Sequence, residues 1–305
     1  MLKYVVRRLL LAVLVLFGVS VVSFGMMFLS GDPASALAGD NWTRQQVDEF
    51  RRIMGFDRPW YVQYRDFIRN AVRGDFGKSL RQHQPVFGLL LDRLPATLEL
   101  TGAALLLSVT IATPIGVLSA VRRNSLNDRA AMLFALAGQS MPVFWVGSML
   151  ILIFGVRLQW LPIAGRESLA HLILPATALG FFSVARNARV VRSSMLEVLG
   201  ADYVRTARAK GLPGAQVLMR HAFKNALLPV VTVLGLDVGH LLSGAVITET
   251  IFAWPGVGRL TVEAVLGKDL PLVQAVVISL ATVFVIINLG VDILYGALDP
   301  RVRYQ

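Results

Sequence analysis

"LLLAVLVLFGVSVVSFGMMFLSG", residues 9–31, runs for twenty-three positions without Asp, Glu, Lys or Arg. A helix needs ~20 such residues to cross the hydrocarbon of a bilayer. The same test picks out 100–121, 130–156, 168–185 and 270–291, and a sixth stretch, 226–248, is interrupted only by Asp237. The sequence therefore predicts an all-α membrane protein with six transmembrane helices. The fourth is the weakest, being short and carrying His171. Composition agrees: of 305 residues 55% are hydrophobic and only 16% charged, with a mean hydropathy of +0.62. The first run follows Lys3, Arg7 and Arg8 and precedes "ASA" at 34–36, as a secretory signal would. It exceeds the roughly 7–15 residues of a signal core, so it reads as a retained helix.

The net charge of +11 would suggest nucleic acid in a soluble chain. In an apolar chain basic residues gather instead on the cytoplasmic side of the bilayer, and no nucleic-acid partner is expected. With the N-terminus inside, the inner segments 1–8, 122–129, 186–225 and 292–305 hold sixteen Lys and Arg. The short outer loops, 157–167 and 249–269, hold four. Both termini are therefore expected in the cytoplasm. The chain has no cysteine, which excludes disulfides, thiolate metal sites and cysteine nucleophiles.

One long loop, 32–99, faces outward in that topology. Thr43 with Gln46 forms a capping box and Gly55 supplies a stop; Asp57 and Pro59 open a second helix that Gly74 closes. Trp60, Tyr64, Phe67, Ile68 and Val72 fall on one face of that helix. A helical extracytoplasmic insertion is expected there. Prolines 114, 142, 175 and 229 lie within or at the ends of spans, where a bundle tolerates kinks. Gly235-x-x-x-Gly239 permits close helix approach.

Catalytic signatures fail. "RGDFGKS", 73–79, resembles the end of a phosphate-binding loop, but that motif needs a glycine where Val72 stands, and no strand precedes it. His83, His171, His221 and His240 show no ligand spacing, so no catalytic or metal residue is assigned. Asp237 and His240, at i and i+3, could pair across a turn. They either line a translocation pathway or satisfy each other inside the bundle.

Between the fourth and fifth spans lies "DYVRTARAKGLPGAQ", 202–216. Asp202 suits a helix N-cap, Gly211 a left-handed C′ position, and Pro213 prevents continuation. An eight-residue helix of roughly 12 Å results. Alone it would be marginal, so it needs support. Tyr203, Val204, Ala207 and Gly211 lie toward one side, with Thr206 and Ala209 between the charges of Arg205, Arg208 and Lys210. Such a helix suits another protein's cleft.

The stretch "ADYVRTARAKGL" (201–212) with "RHAFKNALLP" (220–229) resembles the cytoplasmic coupling loop of ABC-importer permeases, specifically the dipeptide, oligopeptide, nickel and glutathione group. "LSGDPAS" (29–35), "MGFDRPWYVQY" (54–64), "GDFGKS" (74–79), "LPATLEL" (94–100), "ITETIFAWPGVGRL" (247–260) and "NLGVDILYGALDPRVRY" (288–304) match that group in order, most closely its B-type member. Arg205 stands where the wider family has an acidic residue, and Leu228–Pro229 fall further along; both features are similar to the peptide-importer group.

The resemblance implies a type I ABC-importer permease fold in the bacterial inner membrane. One permease domain would span 1–305, with an insertion at 32–99 and a cytoplasmic coupling loop at 186–225. Residues 202–211 would contact the ATPases. The implied partners are a second permease, two ABC ATPases and an extracytoplasmic solute-binding protein. The chain would hold no cofactor; ATP and magnesium would sit on the ATPases. A proton-coupled secondary transporter, using Asp237 and Asp292, is the alternative.

Overall fold

The computed structural model describes residues 2–29, 32, 34–35 and 42–298. Ala36 of the "ASA" stretch, part of "LSGDPAS" and the end of the 288–304 motif lie outside the described residues, as do the side chains of Lys3 and Asp292. Helix α1 is Leu2–Leu29, α2 Arg44–Met54, α3 Trp60–Val72 and α4 Val86–Val121. Next come α5 Leu126–Ser140 and α6 Val143–Leu150, the latter continued by a π-helical segment Ile151–Arg157. Then follow α7 Leu169–Leu199 and α8 Asp202–Ala209. A helical turn, Gly214–Gln216, leads through a π-helical segment Val217–Phe223 into α9 Lys224–Ile251, followed by α10 Val257–Leu266 and α11 Leu270–Leu298.

Among the described residues, five helices are long and apolar enough to cross a membrane, and there is a sixth span if α5 and α6, with its π-helical continuation, are taken as one. They meet at 107°. The kink expected at Pro142 is a full break of the third span at Met141–Pro142, where a backbone without an N–H starts a new helix. The second span begins at Val86 rather than at residue 100, and its 36 residues measure about 54 Å. The bilayer core is only ~30 Å thick, so the charges of Asp92, Arg93 and Glu99 need not interrupt the helix. The fourth span is likewise no short segment: α7 runs 31 residues through Pro175 and three arginines. His171 turns back on the helix start, its Nδ1 2.9 Å from Ser168 Oγ.

Contacts gather the chain into two units, residues 2–95 with 256–286, and residues 96–255 with the helical residues from 287 on. In the first, Val86, Leu90, Val257, Leu260, Leu272 and Val276 form a closed apolar cluster. Asp269 heads α11, accepting from Leu272 N at 3.4 Å and from the Ser79 hydroxyl. The capping box forms as the sequence predicts, with Thr43 N donating to Gln46 Oε1 at 2.8 Å, and Gly55 ends α2 at φ 71°. The Arg51 guanidinium beside Asp32 holds that carboxyl well below the usual carboxylate range. Pro59, not Asp57, precedes α3, and its carbonyl accepts from Val62 N at 2.9 Å. The expected single face of α3 is only half used. Tyr64 and Phe67 stack on Phe24 of α1 at 5.3 and 5.7 Å, while Trp60 and Val72 stay 69% and 83% exposed.

In the second unit α7 is the central element, packed by α5, α6 and α9. Small residues permit this. A Cβ on Gly180 would lie 2.9 Å from the Ala104 carbonyl oxygen, and one on Gly235 would lie 2.3 Å from a Val291 methyl. Gly116 is tighter against backbone: a Cβ there would meet Val191 Cβ at 2.6 Å and the Ala188 oxygen at 2.7 Å. Gly116→Val is therefore expected to destabilise the bundle by about 1–3 kcal/mol, the usual cost of overpacking. Gly102→Ala, on the same helix with nothing within 4 Å, should be neutral. Melting temperatures of the two purified variants in one detergent check the contrast.

Candidate functional site

Two constellations in the second unit carry the polar chemistry. The first lies around α7. Asp237 of α9 is fully buried, and α7 supplies its partners: the Arg186 guanidinium and Asn187 Nδ2, the latter at 2.5 Å. Asn187 Nδ2 also donates to Ser108 Oγ of α4 at 2.9 Å. Two turns further on, Arg192 Nε and Nη2 fork onto the Asp128 carboxylate of α5 at 2.6 and 2.8 Å. This bidentate geometry is the strongest an arginine makes with a carboxylate. The Asp237–His240 pairing that the i, i+3 spacing allows gives way to these cross-helix bonds. The imidazole of His240 instead stacks on Phe182 of α7, ring centroids 4.8 Å apart. A charge buried in a bundle needs a counter-charge and full hydrogen bonding, and a neighbour one turn away on its own helix supplies less of both.

The second constellation is α8. Asp202 is not the N-cap: Ala201 holds that position, and Asp202 starts the first turn, exposed, 3.6 Å from Arg205. A carboxylate there still favours the helix dipole. Val204 and Ala207 are buried and join a cluster with Val191 and Met195 of α7, Val217 and Ala222 of the π-helical segment, and Ala226 and Val230 of α9. Tyr203, expected on the same side, is exposed and accepts from Asn225 Nδ2 at 3.1 Å. Arg205, Thr206, Arg208, Ala209, Lys210 and Gly211 are all exposed. Gly211 has φ +75° with open space around it, as the predicted C′ glycine requires. A short, basic, exposed helix is thus riveted to its own chain by two small apolar side chains.

The N-terminal residues 1–101 match the family described as the N-terminal part of a binding-protein-dependent transport system membrane component. Residues 112–304 match the binding-protein-dependent transport system inner membrane component. The chain belongs to this permease family. Full-length relatives agree, each matched over 100% of both chains. They include the di/tripeptide transport permease DppB of Pseudomonas aeruginosa at 42% identity. The dipeptide transport permease DppB of Escherichia coli K12 is 40% identical, and the glutathione transport permease GsiC of the same organism 42%. Among solved structures, the inward-facing MetNI methionine ABC transporter matches with a TM-score of 0.59 at 19% identity, over 69% of this chain and 96% of that one. An amino acid ABC transporter solved with histidines gives 0.51 at 17%, over 70% and 94%. These share the fold, the type I importer permease.

The permease is thus a multi-pass inner-membrane transport subunit of an ABC importer, not a catalytic one, and the proton-coupled alternative falls away. "RGDFGKS" lies in a turn closed by the bridge between Lys78 and Pro85, with Gly77 at φ +76°, and not at a strand-to-helix junction. Several polar residues of the permease escaped the sequence reading. Glu249, fully buried, accepts from Thr97 Oγ1 at 2.6 Å, and Trp254 Nε1 donates to the Ala96 oxygen at 2.8 Å. Arg166 Nε reaches Glu99 at 2.7 Å. The available signal was position: Glu249 and Trp254 both sit in "ITETIFAWPGVGRL", where α9 ends.

Removing one partner of a buried pair strands the other charge, typically at about 3–5 kcal/mol. Asp237→Leu is therefore expected to assemble poorly. Asp237→Asn, which keeps the size and the hydrogen-bonding capacity, should retain most ATP-dependent uptake, because Arg186 is 30% exposed and can be hydrated. Yield and uptake of the two variants, measured side by side, decide whether the carboxylate is structural or carries protons.

Proposed function

We propose that this permease forms half of the translocation pathway for short peptides or related small solutes, and that α8 with Gly211, residues 202–211, couples it to cytoplasmic ATPases. The observation that carries the coupling role is the geometry of α8: Val204 and Ala207 are buried in the chain's own core while three cations remain exposed. The substrate class rests on the relatives of 40–42% identity, which are named for dipeptides, tripeptides and glutathione. A second permease, two ATPases and a solute-binding protein complete the transporter, and ATP with magnesium binds to the ATPases. Both termini and the 186–225 region face the cytoplasm, in keeping with the excess of Lys and Arg in those segments. The 32–99 region faces outward and helps dock the binding protein; the capping box of α2 and the packing of Tyr64 and Phe67 of α3 on Phe24 support an ordered surface there. Asp237 and His240 border the pathway, the first from behind Arg186.

Reconstitution of the whole transporter tests the proposal through ATP hydrolysis as a function of binding-protein concentration. Gly211→Val forces a β-branched residue to positive φ, at about 1–3 kcal/mol. The site has room for the side chain, so the strain falls on the chain direction after α8 and not on packing. The variant is expected to insert and pair normally yet to respond weakly to the loaded binding protein. Wild-type coupling would remove α8 from the contact. Deleting 43–73 should abolish stimulation and leave assembly intact; normal stimulation would show that docking lies elsewhere.

A further inference from the structure

The open side of α7 holds more hydrogen-bond donors than its neighbours consume. Arg186, Arg189, Arg192 and Ser193 line a cavity of about 400 Å³ together with Met132 and Gln139 of α5. The carboxylates around it are engaged, and one buried acceptor on α7, Asn187 Oδ1, is not. Gln139 Oε1 accepts from Arg189 Nη1 at 3.1 Å, Asp237 accepts from Arg186 and Asn187, and Asp128 accepts from Arg192. Two buried donors in the cavity wall, Arg186 Nε and Gln139 Nε2, have no acceptor. Buried donors are nearly always satisfied, so two unmatched ones on a single cavity mark a place where an acceptor arrives from outside. Three guanidinium groups stand against two carboxylates, which leaves the cavity cationic.

We propose that this cavity receives a carboxylate of the transported solute, with Arg189 and Gln139 as the contacting groups and Arg186 as a fixed donor behind them. The inference rests on the peptide-permease reading above: dipeptides, tripeptides and glutathione all carry a free carboxylate. A planar carboxylate with two oxygens matches the guanidinium fork, and the match gives orientation as well as attraction. Asp237 is fully buried, so it does not meet the solute; it is a positioning residue that holds Arg186 in the wall. One turn before Arg186 on α7, Phe182 stacks on the exposed His240, an apolar surface that suits the rest of a small peptide. A lipid headgroup phosphate is the competing anion. The cavity disfavours it because Met132 and Val190 are its only apolar walls, too little for acyl chains.

The test uses the whole transporter in proteoliposomes, with the dipeptide Ala-Ala as the transported probe. The vesicles are made of phosphatidylcholine alone or of phosphatidylcholine with phosphatidylglycerol. Wild-type ATP hydrolysis in response to loaded binding protein reports on the proposed function by itself; its absence overturns that reading and this one with it. Given a responsive wild type, Arg189→Gln is expected to lower Ala-Ala uptake roughly tenfold, the scale of one charged hydrogen bond. It should still co-purify with its partner subunits, and Arg189→Lys should recover most of the uptake. Unchanged uptake in Arg189→Gln overturns the inference, as does loss of assembly in that variant or failure of lysine to recover anything. Wild-type uptake that requires phosphatidylglycerol, with the requirement abolished in Arg189→Gln, assigns the cavity to a lipid headgroup and overturns it too.

Discussion

Within the second unit, the packing depends on how α7 is tied to its neighbours. In a bilayer an apolar helix face gains little by leaving lipid for another helix, so association relies on close packing and on polar ties. Helix α7 uses both. Its Gly180 and Ala188 let α4 approach to backbone distance, and its Ala185 faces Gly138 of α5. Over two turns it then makes three ties, each to a different helix: Asn187 to Ser108 of α4, Arg186 to Asp237 of α9, and Arg192 to Asp128 of α5. Each tie buries a group that would be costly alone, so the three fix rotation and register as well as proximity. Polar residues inside a span are therefore neither accidents nor, in themselves, a proton relay; most of them hold the frame.

Much of this was legible in the sequence, and the limits follow from what each signal measures. A charge-free run reports the cost of placing a segment in hydrocarbon, so it located five apolar regions, and the sixth, 226–248, once Asp237 is allowed. It does not report where backbone hydrogen bonding stops, so α4 and α7 extend well beyond their runs, through Glu99 in one case and through Arg192 in the other. Pro142 was visible as a kink, but the 107° turn depends on what packs beyond it. Cap chemistry is local and was read correctly at Thr43, Gly55 and Gly211, where a side chain or a positive φ decides the matter. At Asp202 the expected cap fails: Ala201 already has the extended backbone a cap needs, without a side-chain cap bond, and Asp202 begins the first turn. The partner of Asp237 lies 51 residues away in the chain, beyond the reach of any i, i+3 argument.

The same limit explains the underestimate of α8. An isolated eight-residue helix is marginal, which pointed to a partner protein as its support. Its first support is internal, because Val204 and Ala207 sit in one cluster with Val191 and Met195 of α7. That changes the mechanics of the coupling proposed for α8. A helix held only by a partner would move with that partner and leave the bundle behind. A helix riveted through two small side chains to the end of α7 cannot shift by a side-chain width without opening a cavity or carrying α7 along. A cavity costs packing energy in proportion to its volume, whereas α7 is a continuous helix that can transmit a displacement along its axis. Arg192, Arg189 and Arg186 lie on that helix between the rivet and the middle of the span. A push on the exposed face of α8 therefore arrives first at the guanidinium groups that tie the bundle together.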